Sequence, residues 1–290
     1  MPLFGAHMSA AGGAYRALLA AKKADMDVVQ LFTKNNNQWT GKPLSDEDIR
    51  LFRETLRDSG LKHPTAHDSY LINLASPDPA LWAKSVDAFI DEIDRADALG
   101  IEYLVTHPGA HVGAGEDAGL ANVVRALDEV QARRPDAKVR TLLEITAGQG
   151  TSLGHRFEHL ATVLDDVQDP DRLGVCFDTC HALAAGYPLF PEPEYRQTFD
   201  AFDRLIGLDR LKVFHLNDSK KPLGSRVDRH EHIGLGHVGL EAFRLLVNDP
   251  RFAGHPMILE TPKHDADGRE MDPVNLSVLR SLVNGDGQVR

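Results

Sequence analysis

Eight times along the chain a short apolar or β-branched run gives way to a polar turn and then to a segment with helical spacing. The runs, read as strands, are Phe4–Met8, Val28–Thr33, Lys62–His67, Tyr103–His107, Arg140–Ile145, Gly174–Asp178, Lys212–Leu216 and Pro256–Thr261. Helices are expected between them, among them Ser45–Ser59, Pro79–Leu99, Asp117–Arg133, Glu194–Ile206 and Leu240–Asn248. Ser45 with Asp48 three residues on has the form of a capping box, and Val86, Phe89, Ile90 and Ile93 mark a buried helical stripe. Strands that alternate with helices pair in parallel, because each parallel pair needs a crossover. Eight such units in 290 residues predict closure, so the fold class expected is α/β, a single (β/α)8 TIM barrel. The barrel domain is placed at 1–283 and a loose polar tail at 284–290.

Composition narrows the setting. No apolar run approaches the twenty or so residues that cross a bilayer, and the start lacks a basic region followed by an apolar one. Only two cysteines, Cys176 and Cys180, are present, which suits a reducing compartment. A cytoplasmic protein without a membrane partner is expected, and nothing in the sequence points beyond a monomer. The net charge of −11 argues against gripping nucleic acid by bulk charge. It argues less if acidic groups are metal ligands, since divalent ions would concentrate positive charge in one cleft.

The ionisable residues are placed non-randomly. His67 and His107 close the third and fourth strands, Glu144 and Asp178 the fifth and sixth, and His215 and Glu260 the seventh and eighth. His181 follows Asp178 by three residues, and Asp228 and His230 lie in the long loop after the seventh strand. All nine would meet at the carboxyl rim of a barrel, where such folds place their chemistry. Period-2 parity puts Asp178 on the face of Cys176 and His215 on the face of Val213, both inward. A lone strand-end histidine is ordinarily a hydrogen-bonded structural group and a lone aspartate ordinarily a helix cap. Convergence is what favours ligation. Histidines and carboxylates without cysteine suit zinc or manganese.

Other features carry less. The run Gly234-Leu-Gly236-His-Val-Gly239 has the form of a dinucleotide fingerprint but follows a charged loop, so it is read as a flexible turn entering a helix. Cys176 and Cys180 are read as small buried fillers. His63, His111, His155, His159, His232, His237, His255 and His264 are expected at the surface or behind the ligands, and His7 is expected to orient a ligand or a substrate phosphate.

The segments GAHMSAAGG, QLFTKN, HDSYLINLA, HPGAH, LLEITAGQG, GVCFDTCHALAAGY and HLNDSKKPLGSRVDRHEHIGLGHVG resemble endonuclease IV, the AP-endonuclease family with a TIM barrel and a trinuclear zinc centre. The resemblance spans nearly the whole chain, and its last stretch is 25 residues long. It implies three Zn2+ per chain, with Mn2+ able to substitute: His67, His107 and Glu144 on the first ion, Glu144, Asp178, His215 and Glu260 on the second, and His181, Asp228 and His230 on the third. Glu144 would bridge, and Glu260 would also orient or deprotonate the attacking water. The implied substrate is double-stranded DNA with an abasic site, cut on its 5′ side to leave a 3′-hydroxyl and a 5′-deoxyribose phosphate. Release of blocked 3′ ends is implied as a second activity.

Tyr70 and Leu71 match the family residues that enter the helix near the lesion. Asn37 departs from the pattern, because enterobacterial members carry arginine there, and a short neutral side chain cannot wedge bases or pair a phosphate in the same way. Lys220, Lys221 and Arg226 are available to phosphates or to solvent. Two other classes compete. A sugar isomerase or epimerase on a related barrel would use fewer ions and have little need of Asp228 and His230. A non-catalytic zinc-dependent lesion-binding module would need only the four ligands that close a structural site.

Overall fold

The computed structural model describes residues 1–284, and the expected tail beyond Asn284 lies outside the described residues. Asn284 itself donates its backbone N–H to Asn248. Eight parallel strands close into a barrel: β1 Leu3–His7, β2 Val28–Phe32, β3 Lys62–His67, β4 Tyr103–Thr106, β5 Arg140–Glu144, β6 Leu173–Asp178, β7 Leu211–His215 and β10 Pro256–Leu259. A short antiparallel ribbon, β8 Asp218–Ser219 with β9 His230–Glu231, is built from the long loop after β7. All eight expected strands are present, with ends that differ by at most two residues. His107 and Glu260 therefore fall just past their strands.

Helices α1 Tyr15–Lys23, α2 Asp46–Ser59, α3 Pro79–Leu99, α4 Glu116–Arg133, α5 Phe157–Asp166, α6 Thr179–Ala185, α7 Glu192–Leu205, α8 Leu240–Val247 and α9 Asp272–Leu282 cover the outside. Ser45 forms the capping box with Asp48, and three acidic residues in the first turn of α2 face its positive end. Among the described residues no helix is long and apolar enough to cross a membrane.

The closed sheet separates two apolar compartments. Outside, Phe177 and Phe214 pack with Phe199 and Phe252 under the helices. Inside, Val28, Val105, Leu142, Cys176, Val213 and Ile258 form a small core of their own. One residue from each of six strands thus makes a dry floor across the barrel.

Candidate metal centre

Side chains two residues apart on a strand share a face, so each floor residue predicts what lies one layer higher. Two residues past Val28, Val105, Leu142, Cys176, Val213 and Ile258 come Gln30, His107, Glu144, Asp178, His215 and Glu260. Thr65 on β3 is likewise followed by His67, and Gly5 on β1 by His7. Gly5 is required there, since a Cβ would lie 1.9 Å from the Val28 carbonyl oxygen. The floor is apolar and the layer above it is polar throughout.

Glu144 is the hub of that layer and is fully buried. Its Oε2 lies 3.1 Å from His67 Nε2 and 3.2 Å from His107 Nε2. Its Oε1 lies 3.0 Å from His215 Nδ1 and 3.3 Å from His181 Nδ1. His215 Nδ1 is also 3.2 Å from Glu260 Oε2 and 4.0 Å from Asp178 Oδ2. On the outer side, Asp228 places its oxygens 3.2 Å from His181 Nε2 and 3.3 Å from His230 Nε2. All nine residues singled out in the sequence are therefore in one continuous cluster.

The loops are held to keep them there. The Asp228 backbone N–H donates to the Gln149 amide oxygen, and the β8–β9 ribbon fixes His230. The glycine run after it is pinned rather than flexible, because the Asp218 carboxylate accepts the N–H groups of Gly234 and Val238. A Cβ at Gly236 would meet the Ser219 carbonyl and the Asp218 carboxylate at 2.4 and 2.5 Å.

The ring tautomers show what the cluster is fitted to hold. His67, His181 and His230 each turn Nδ1 toward a backbone carbonyl, those of Asp68, Ile145 and Glu260. With the proton on Nδ1, Nε2 presents a lone pair to the carboxylates opposite. Two sets of lone pairs facing each other repel unless a cation lies between them. Nε2 of His181 and of His230 are buried and make no hydrogen bond among the described residues. An orphaned buried nitrogen is costly, and coordination to a divalent ion satisfies it. The donor set fits.

Burial opposes charge here, but the partners overcome it. Glu144 is held well below the usual carboxylate range by His215 and His107, and Glu260 is held down chiefly by His215. Asp228, opposed by burial, is drawn to about 2 by its hydrogen bond with His181. Conversely, Asp68 and Glu144 raise His67, Asp178 and Asp228 raise His181, and Glu260 and Glu144 raise His215, all against burial.

In chelated protein the histidine contribution is complete below the ordinary value of 6.5 and is lost as pH rises through the raised values. The carboxylate contribution is present above ordinary values of 4.5 and 3.8 and is lost as pH falls through the lowered ones. Cation binding must expel the histidine protons. Titrating zinc into chelated protein at about pH 6 in two buffers of different ionisation enthalpy is expected to give different apparent enthalpies. Equal values would show that no protons leave.

Burial, reinforced by Glu144 and Glu260, pushes the Cys176 thiol far up, and burial with Asp178 pushes Cys180 up to about 12. Both are neutral fillers, as the sequence suggests.

Asp178 satisfies both of its sequence readings at once. Oδ1 accepts the His181 N–H and caps α6, while Oδ2 faces the cluster and takes a 2.6 Å hydrogen bond from Asn217. His7 stands behind Glu260, 3.8 Å from its Oε1. Two buried residues escape the sequence reading, Gln30 and Asn217. The floor register on β2 carries the signal for Gln30, an amide two residues past Val28. Asn217 has none, since it follows β7 and acts through Asp178 and the Glu260 backbone.

Tyr70 stands 59% exposed at the rim, its ring edge-on to Phe32 and tilted against His67. Leu71 beside it is partly buried, as is Asn37's neighbour Asn36, whereas Lys220, Lys221 and Arg226 are exposed and Asn37 lies at the surface. His155, His159 and His232 are buried rather than superficial. With Glu116 the first two form a second His–carboxylate group. There, however, His159 Nδ1 faces the Gly154 N–H and its Nε2 faces the Arg156 Nε–H at 3.0 Å, so neither ring nitrogen is open to an ion. Arg156, 2.7 Å from Glu116, already supplies the positive charge. This group is an ion-pair cluster.

The comparisons with known proteins discriminate further. Residues 18–282 match the family described as a xylose isomerase-like TIM barrel, a fold that sugar isomerases share. A protein from Geobacter sp. (strain M21) named "Probable endonuclease 4" is 52% identical over 285 residues, covering 98% of this chain and 100% of its own. The chain belongs to the endonuclease IV family. A Chloroflexus aurantiacus (strain J-10-fl) protein of the same name is 53% identical over 287 residues, with 98% and 99% covered. The crystal structure of endonuclease IV from Thermus thermophilus matches with a TM-score of 0.84 at 37% identity, over 97% of this chain and 98% of that one. As a member of the endonuclease IV family, this protein is a DNA-repair nuclease, and the isomerase and purely binding readings fall away.

Proposed function

We propose that this nuclease hydrolyses the phosphodiester on the 5′ side of an abasic site in double-stranded DNA, with three divalent ions of the zinc class in the Glu144 cluster and manganese as a substitute. The observation that carries the reading is the two-sided surrounding of Glu144, with His67 and His107 on one oxygen and His215 on the other. Such a carboxylate suits a bridge between ions held by His67 and His107 and by Asp178, His215 and Glu260. His181, Asp228 and His230 would hold the third. Bound there, divalent ions would acidify water and offset charge on the phosphoryl oxygens.

The side chains supply the rest. Glu260, at the mouth of the cluster and held ionised, accepts the proton as water attacks phosphorus. The bond from phosphorus to the 3′-oxygen breaks, that oxygen takes a proton to become a hydroxyl, and the abasic sugar keeps its 5′-phosphate. The same displacement at a blocked 3′ terminus would free a 3′-hydroxyl. Tyr70 and Leu71 fill the gap left by the missing base, and an unstacked abasic nucleotide swings out at lower cost than an intact one. Asn37 contributes shape and hydrogen bonding rather than charge. The barrel acts as a monomer within the cytoplasm.

A duplex with one abasic site, resolved on a denaturing gel, tests the reading. Cleavage at the 5′ side is expected, lost after prolonged chelation and restored by zinc or manganese. Elemental analysis should give three ions per chain. Undiminished cleavage by thoroughly chelated protein would defeat the metal assignment, and no cleavage by the loaded protein would defeat the substrate.

A further inference from the structure

Gln30 is fully buried on β2, and each end of its amide meets a different side chain of the cluster. Oε1 lies 2.8 Å from His215 Nε2, and Nε2 lies 2.5 Å from Glu260 Oε1 and 3.0 Å from His7 Nδ1. Only one assignment of protons satisfies all three contacts. His215 donates from Nε2 to the amide oxygen, and the two amide hydrogens go to Glu260 and His7. Turning the amide over would set its oxygen against the Glu260 carboxylate.

We infer that Gln30 is a positioning residue that fixes which nitrogen of His215 and which oxygen of Glu260 face the centre. The inference rests on the metal reading of that centre. His215 differs from His67, His181 and His230, which place their protons on Nδ1 against backbone carbonyls. Near His215 the surrounding carboxylates, of Glu144 and Glu260, lie at Nδ1. The proton must therefore be held on the far nitrogen, and Gln30 is the acceptor that holds it there. The same amide occupies Glu260 Oε1, leaving Oε2, the oxygen 3.2 Å from His215 Nδ1, directed inward. One side chain thereby aligns two groups from β7 and from the segment after β10, and it ties them to His7 on β1.

Two variants of the full chain test this. Gln30→Met keeps length and volume but removes both ends of the amide. Gln30→Glu keeps an acceptor for His215 and puts a carboxylate against Glu260. Long-range proton–nitrogen correlations of the histidine rings in wild type should place the His215 proton on Nε2. In Gln30→Met that preference should vanish, retention of one ion against a chelator should fall about 10–100-fold, and kcat on an abasic duplex should fall with KM within about twofold. Gln30→Glu should preserve the ring tautomer and still lose kcat. Wild-type tautomer and ion retention in Gln30→Met, or a loss confined to KM, would overturn the inference. If Gln30→Met does not fold by thermal melting, Gln30→Glu decides alone, and a wild-type kcat in it overturns the role. A wild-type chain that retains no ions sinks the metal reading instead, which keeps the two failures distinct.

Discussion

Glu144→Ala is expected to lower single-turnover cleavage of an abasic duplex by about 10³-fold or more, because a shared carboxylate supports two sites at once. The substitution removes the partner of four imidazoles, two on each oxygen. His67, His107, His181 and His215 would then face one another without the carboxylate they share, with Asp68, Asp228 and Glu260 left only at the edges of the group. Bound zinc per chain should fall together with the rate. The fold should persist, since the floor of the barrel and the phenylalanine-rich layer beneath the helices are built from other side chains. Far-ultraviolet circular dichroism checks that point. Glu144→Gln should be nearly as inactive, because the amide keeps the shape but presents N–H donors on one side and no charge on either. More than about a tenth of wild-type rate in either variant would show that the carboxylate is not shared between ions.

Which of these residues the chain reveals by itself depends on the range of the physics involved. Parity along a strand is a local property, so the inward direction of Asp178 and His215 follows from the alternation in VCFD and VFH. Convergence on one rim follows from closure of eight parallel strands, which is fixed by their number and spacing. Partnership across the barrel is a different kind of quantity. Gln30 and His215 are 185 residues apart, and only the stagger between strands brings them within hydrogen-bond reach. Period 2 says that Gln30 faces inward, but not which strand end it will meet. The burial of His159 is similar, since it depends on how α5 sits against α4 through Glu116. Asp178 shows that two local readings need not compete, because a carboxylate has two oxygens and one can cap a helix while the other faces the cluster. Strand ends differ from expectation by a residue or two because ladder pairing stops where the neighbouring strand stops, which a single segment does not reveal.

Lys34→Met is expected to destabilise the protein by about 3–5 kcal/mol, although Lys34 lies on a loop. Its side chain is only 2% exposed, and its ammonium lies 2.8 Å from Glu92 and 3.0 Å from Asp91. Glu92 is buried on α3, which pushes its carboxyl up, and Lys34 works against that shift. The carboxylate also accepts the Thr33 hydroxyl at 2.7 Å and the Ser69 backbone N–H at 3.2 Å. Glu92 thus joins the loop after β2, which carries Asn37, to the loop after β3, which carries Tyr70 and Leu71. Ser69 Oγ completes the link by donating to the Asn36 carbonyl at 2.7 Å. Removing the lysine leaves a buried carboxylate without its cation, which is the costly way to break such a pair.

The double change Lys34→Met with Glu92→Leu removes both charges and should cost less than Lys34→Met alone plus Glu92→Leu alone. Midpoints of chemical denaturation for the four proteins give the coupling, and strict additivity would mean that the pair is not coupled. A functional consequence separates this pair from the centre. Because the two loops carry the residues proposed to meet the lesion, Lys34→Met should raise KM for an abasic duplex while leaving kcat and bound zinc near wild type. A fall in kcat with unchanged KM would place Lys34 with the chemistry rather than with the loops that present DNA to it.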